Sequence, residues 1–176
     1  MRAYLVALGV LPLALAACGS GGNASKAPAE PATQAVAATT TRVTIKVVSV
    51  MKSTRSHDAP PKGTSYGDNV TFEDVLLNVG SQFGKNANQE VGTDSGTMTF
   101  TGAHTARMVG VTTLPDGTIS FSGEVTVLPN NRLVVPIVGG TGKYAHASGT
   151  LLVGSGSKRA PNTYSLYLAG AAGPVA

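Results

Sequence analysis

Between Arg42 and Gly170 no stretch sustains the apolar recurrence of every three to four residues that an amphipathic helix needs. The apolar residues come instead with period two, or in short β-branched blocks, and turn residues cut the runs at close intervals. A pleated sheet buries such a pattern on one face; a helix would scatter it around its circumference. The runs predict strands over Arg42–Met51, Asp68–Asn78, Glu90–Gly102, His104–Leu114, Thr118–Leu128, Arg132–Val138, Ser148–Gly154 and Thr163–Ala169. Pro115-Asp116-Gly117 and Asn130-Asn131 read as hairpin turns, and Gly154–Asn162 as the last loop. Gly92 and Gly96, inside the third run, mark a bulge or a tight bend. Eight short strands at hairpin spacing suit a sandwich or a closed barrel. The pattern thus predicts an all-β domain over residues 42–170 and leaves the sandwich open beside an eight-stranded antiparallel β-barrel, whose advantage is that closure removes exposed edges.

The first residues speak to the compartment. Arg2 gives a short positive start, and Ala3 to Ala14 form an apolar run broken only by Gly9 and Pro12. That run falls short of the roughly 20 apolar residues a spanning helix needs, and has the proportions of a signal-peptide core. Leu15-Ala16-Ala17-Cys18-Gly19 then resembles the bacterial lipobox, with small residues before a lipidatable thiol. Residues 1–17 are therefore expected to be a lipoprotein signal peptide, and Cys18 the lipidated residue and membrane anchor. Gly19 stands where an aspartate would signal inner-membrane retention in many Gram-negative bacteria. The expected place is thus the extracytoplasmic face of the cell membrane, or the outer membrane in a Gram-negative host. Residues 18–41 are rich in Gly, Ala, Pro, Ser and Thr and read as a flexible linker, because such a segment buries too little to offset its ordering entropy. Residues 171–176 read as a short tail.

Several classes of chemistry find no support. Cys18 is the single cysteine, which rules out an intramolecular disulfide and a cysteine-rich zinc site. His57, His104 and His146 are isolated, with no ligand spacing between them, so no metal or cofactor is expected. A Ser/His/Asp triad has no G-x-S-x-G elbow to announce it. The net charge is +4, but the basic residues are scattered without interleaved aromatics, which does not suit nucleic acid.

Pro136-Ile137-Val138-Gly139-Gly140-Thr141-Gly142-Lys143-Tyr144-Ala145-His146-Ala147-Ser148-Gly149-Thr150 resembles the signature segment of plant dirigent proteins. Allene oxide cyclases, which share their barrel, have a related GG-[ST]-G-x-[FY]-x-x-x-x-G stretch. Gly67-Asp68 to Leu76, Val91 to Thr97 and Tyr164 to Leu168 fit the same barrel in the right order, so the resemblance spans about Val43 to Ala169. Physically, Gly139, Gly140 and Gly142 let the chain leave a buried strand through positive φ, and Tyr144 and Ala147 can pack as a short turn across one barrel end. The spacing is not that of a phosphate-binding G-x-x-x-x-G-K-[ST] loop.

Allene oxide cyclases rearrange an unstable fatty-acid epoxide inside an apolar barrel, and dirigent proteins steer the stereochemistry of radical coupling. The resemblance thus implies a small hydrophobic ligand whose cyclisation, isomerisation or stereochemistry is steered by shape, and relatives' assemblies imply a homodimer or homotrimer. The cyclases' first-strand glutamate and asparagine fall near Ser49 and Met51, and their cavity tyrosine near Val125, so this sequence departs from that set. The candidate cavity-lining residues are Ser49, Met51, Asp74, Asp94 and Arg107. Asp74 and its neighbour Glu73 face opposite ways, so at most one points inward. Asp94, between two glycines, could be aimed by a bulge or serve a turn or cap, and Arg107 could pair with a carboxylate or an acidic ligand or simply lie exposed. The other class of function is a non-catalytic binding or structural module of the envelope. An open cavity with an inward carboxylate or tyrosine would favour the first reading, and a plugged interior the second.

Overall fold

The computed structural model describes residues 40–126, 128, 132–156 and 158–170. The leader, Cys18, nearly all of the linker and the tail lie outside the described residues. Eight strands close into one antiparallel barrel in chain order: β1 (Thr40–His57), β2 (Asn69–Asn78), β3 (Glu90–Phe100), β4 (Thr105–Leu114), β5 (Gly117–Thr126), β6 (Leu133–Gly140), β7 (Ser148–Val153) and β8 (Arg159–Ala169). β1 pairs with β2 on one side and β8 on the other, and this second ladder seals the tube.

Side-chain alternation decides what fills it. Ile45, Val47, Leu76, Ile119, Phe121, Val135, Ile137, Leu151 and Leu166 all face in and form one continuous core. Burial of this apolar surface, at about 25 cal/mol per Å², is the main force holding the barrel shut. One row is built differently. Phe72, Gly96, Gly110 and Phe121 stand opposite one another across β2, β3, β4 and β5. A Cβ on Gly96 would press on the Phe72 ring, and one on Gly110 on the Phe121 ring. The two rings therefore lie over the two glycines, which lets the wall curve tightly without leaving a void.

The two ends of the tube differ. At the end holding the β2–β3, β4–β5 and β6–β7 connections, Gly142–Tyr144 form a short 3-10 turn and Tyr144 is buried. The turn is tied to the β4–β5 hairpin by Thr141 N–H to the Thr118 carbonyl (2.9 Å) and Lys143 N–H to the Asp116 carbonyl (2.9 Å). Ala147 is buried and Phe83 packs partly buried on the same core. At the other end Phe72, Met98, Phe100 and Val153 are only partly buried and ring a mouth.

Three details differ from the pattern reading. β1 runs on to His57, beyond Met51, because β2 continues to pair with it. β8 starts at Arg159, so Pro161 and Asn162 lie in a strand and not in a loop. Pro161 is accommodated because its carbonyl accepts from Gly154 N–H (2.9 Å) and its missing N–H leaves the ladder otherwise intact. Gly139 and Gly142 do take positive φ, at 152° and 58°. Gly140 does not; it is required because a Cβ there would collide with the Thr118 carbonyl oxygen.

Candidate functional site

The inner face is polar along one contiguous set of strands. Ser49 on β1, Asp74 on β2, Asp94 on β3 and Thr112 on β4 all point into the tube, as do Asn162 and Tyr164 on β8. Asp74 and Asp94 stand directly opposite each other on neighbouring strands. Ser49 Oγ donates to Asp74 Oδ2. Asp94 is only 3% exposed. Its Oδ1 accepts from Thr112 Oγ1 at 3.3 Å, and its Oδ2 from the Tyr164 hydroxyl at 3.4 Å. Thr112 Oγ1 and the Tyr164 hydroxyl are themselves 2.9 Å apart. β4 and β8 lie across the ring from each other, so the Tyr164 side chain bridges the interior.

The electrostatics follow from that placement. Burial, and then the nearby Asp74 carboxylate, push the Asp94 carboxyl up to about 7, against the lowering effect of the Thr112 and Tyr164 hydrogen bonds. Burial, and then the Asp94 charge, hold the Tyr164 phenol well above its ordinary value, so it stays a neutral donor. A carboxyl poised near neutrality can both take and give a proton, and a fixed phenol beside it can hold an oxygen or orient the acid. Among the described residues no three His, Cys, Asp or Glu side chains cluster as a metal centre would.

Of the five residues proposed from sequence to line a cavity, the barrel brings three together: Ser49, Asp74 and Asp94. Met51 and Arg107 are corrections. Met51 shares the inward phase of Ser49, yet it is 45% exposed. Met51 stands opposite Asp74 and its N–H donates to the Lys158 carbonyl (3.0 Å), but the β8 ladder ends beside it at Val50–Arg159 and its side chain lies open at the rim. Arg107 is exposed because Ala106 and Met108 on either side of it take the inner face. It stands opposite Glu124 on the outer wall.

Three members of the group escaped sequence reasoning: Thr112, Tyr164 and Asn162. The tyrosine does not come from the Val125 position, which is buried hydrocarbon; it comes from the last strand. The alternation Asn162, Tyr164, Leu166, Leu168 against Thr163, Ser165, Tyr167 carried the signal. It was obscured by starting that strand one residue after Asn162. Thr112 gave no signal, since threonine suits either face of a strand.

The sequence matches no protein-family model and no curated protein. The fold does have solved counterparts, among them a demethylase, dirigent proteins and Diels-Alderases. A pyocyanin demethylase superposes with a TM-score of 0.59 at 28% identity, over 70% of this chain and 99% of that one. The Diels-Alderase AbnU gives 0.60 at 16% identity, over 73% and 98%. The pterocarpan synthase dirigent protein PsPTS1 gives 0.53 at 18% identity, over 74% and 95%. The likeness first visible in Pro136–Thr150 thus holds across the whole barrel as a likeness of fold.

Proposed function

We propose that this chain is a lipoprotein, anchored through Cys18 on the extracytoplasmic side of a membrane, whose barrel binds a small hydrophobic molecule and steers its isomerisation or cyclisation. The observation that carries the chemical part is Asp94: a buried carboxyl poised near pH 7, facing a second carboxylate and hydrogen-bonded to a tyrosine that crosses the interior. An isomerisation that shifts a proton removes one and returns one, with no net redox change. A single carboxyl near neutrality can do both in turn. The apolar half of the interior and the half-buried Phe72, Met98 and Phe100 at the mouth supply surface for a hydrocarbon body. The demethylase, the Diels-Alderase and the dirigent protein act on small organic molecules from the same kind of barrel, which supports a ligand of that class here.

One observation favours a second reading. The middle of the tube is filled by side chains at or near zero exposure, among them Val47, Leu76, Phe121, Leu151 and Leu166. A ligand must therefore seat at the mouth or displace side chains there, and a non-catalytic envelope module would need neither. Titration of the full chain with the neutral fluorophore N-phenyl-1-naphthylamine separates the two. The ligand-binding reading expects saturable binding whose strength changes through pH 7 in wild type and is flat in Asp94→Asn. Absence of saturable binding leaves the structural module. Metabolic labelling with a radioactive fatty acid should mark wild type and not Cys18→Ser; an unlabelled wild type would end the anchoring part.

A further inference from the structure

Among the described residues one buried side-chain polar atom has no hydrogen-bond partner, the Oδ1 of Asn162. The residue is 3% exposed and sits on β8 opposite Val47 of β1 and Val153 of β7. Tyr164, Leu166 and Leu168, in phase with it, all face inward, so the amide faces the interior, one inward position nearer the mouth than Tyr164. Ala160, not Asn162, is the direct partner of Ser49. Asn162 is therefore diagonal to Ser49 on the same face, about 7–8 Å away by the usual spacing, and it continues the polar belt of Ser49, Asp74 and Asp94 onto β8.

An acceptor buried without a donor is a standing penalty that valine or leucine at the same place would remove. The neighbouring inward groups have solved that problem: Ser49 bonds Asp74, and Thr112 and Tyr164 bond Asp94. We propose that Asn162 is a ligand-recognition residue, whose Oδ1 accepts a hydrogen bond from a hydroxyl or N–H group of the bound molecule. This rests on the ligand-binding reading above and narrows its ligand to a compact apolar body carrying a donor at one end. An anionic head is disfavoured, because Asp74 and Asp94 occupy the adjoining wall. A site built to pair a ligand hydroxyl discriminates against the analogue without it, since the protein acceptor is then left unpaired.

The test uses 1-naphthol and 1-methoxynaphthalene, which share a ring system and differ in the donor. The full wild-type chain should bind 1-naphthol about tenfold more tightly than the ether. In Asn162→Leu the preference should shrink to within about twofold while affinity for the ether holds, and the variant should melt no lower than wild type because hydrocarbon replaces an unpaired amide. Asn162→Val, well suited to a strand, gives the same readout should leucine prevent folding. Equal binding of the two probes by wild type, tighter binding of the ether, or a preference that survives in the variants overturns the assignment and leaves ligand binding standing. Failure of wild type to bind either probe overturns the assignment, and overturns the ligand-binding reading as well where N-phenyl-1-naphthylamine also fails to bind.

Discussion

The two halves of the barrel wall divide the labour of the interior. On β5, β6 and β7 the inward residues are Ile119, Phe121, Val125, Leu133, Val135, Ile137 and Leu151, all hydrocarbon. On β8, β1, β2, β3 and β4 the same inner face carries Asn162, Tyr164, Ser49, Asp74, Asp94 and Thr112. The first wall stabilises through burial alone. The second contains groups whose burial is unfavourable unless each is paired, and it pairs them by gathering them on adjacent strands. Scattered around the ring, the same six residues would each face hydrocarbon. Gathered, they form a belt in which one carboxyl is shifted to neutrality and one amide oxygen is left unpaired.

If that division is right, the largest stability loss should come from the hydrocarbon wall. Phe121→Ala removes a ring that is fully buried and lies over Gly110, and the glycine has no side chain to fall into the gap. A loss of about 3–5 kcal/mol is expected, read by urea denaturation. A loss below about 1 kcal/mol would mean that the apolar wall is not what holds the barrel closed.

The polar wall should show itself through pH. In the unfolded chain Asp94 ionises near 3.8, whereas in the barrel it does so at about 7. The folded protein therefore holds a proton that the unfolded chain has lost between those values. This contribution is complete below 3.8 and disappears as pH rises through 7. Wild type should be less stable at pH 8 than at pH 5 by roughly 2–3 kcal/mol on this account. Asp94→Asn cannot titrate there, so its stability should change less across the same interval. Equal pH slopes for the two proteins would remove Asp94 from the group of shifted acids, and with it the basis for acid–base chemistry.

How much of this division could be read from the chain depends on what each residue type permits. The hydrocarbon wall was legible: Ile119, Phe121 and Val125 alternate with Ser120, Ser122 and Glu124, and no other phase buries them. The closing turn was legible too, because Gly139, Gly142 and Tyr144 have few other uses in that order. The polar wall was only half legible. Asp74 and Asp94 could be singled out as candidates, but their phase depended on a register that bulges on both sides of β2 can invert. Tyr164 reaches Asp94 across a separation of 70 residues, and no local pattern encodes a contact made by closure. Thr112 is the direct β4 partner of Asp94, but a threonine gives no sign of which face it takes. Asn162 was hidden by Pro161, which looks like a loop residue until its carbonyl is seen in the ladder.

The smallest expected effects are on the outside, where sequence reasoning had put two members of the site. Arg107 is exposed, with Glu124 opposite on an equally exposed strand position. Among the described residues no ion pair joins the two, and exposed charges on facing strands contribute little after screening. Arg107→Ala should change stability by no more than about 0.5 kcal/mol and leave the affinity for N-phenyl-1-naphthylamine where it was. Met51 lies nearer the chemistry, at the rim and opposite Asp74 on β2. Arg107 tests whether the site extends past that rim. A loss of binding in Arg107→Ala would extend the site over the rim to the outer wall, and a ligand held there would be reading charge, not the buried belt. Unchanged binding keeps recognition inside, between the half-buried aromatic mouth and the carboxylates beneath it.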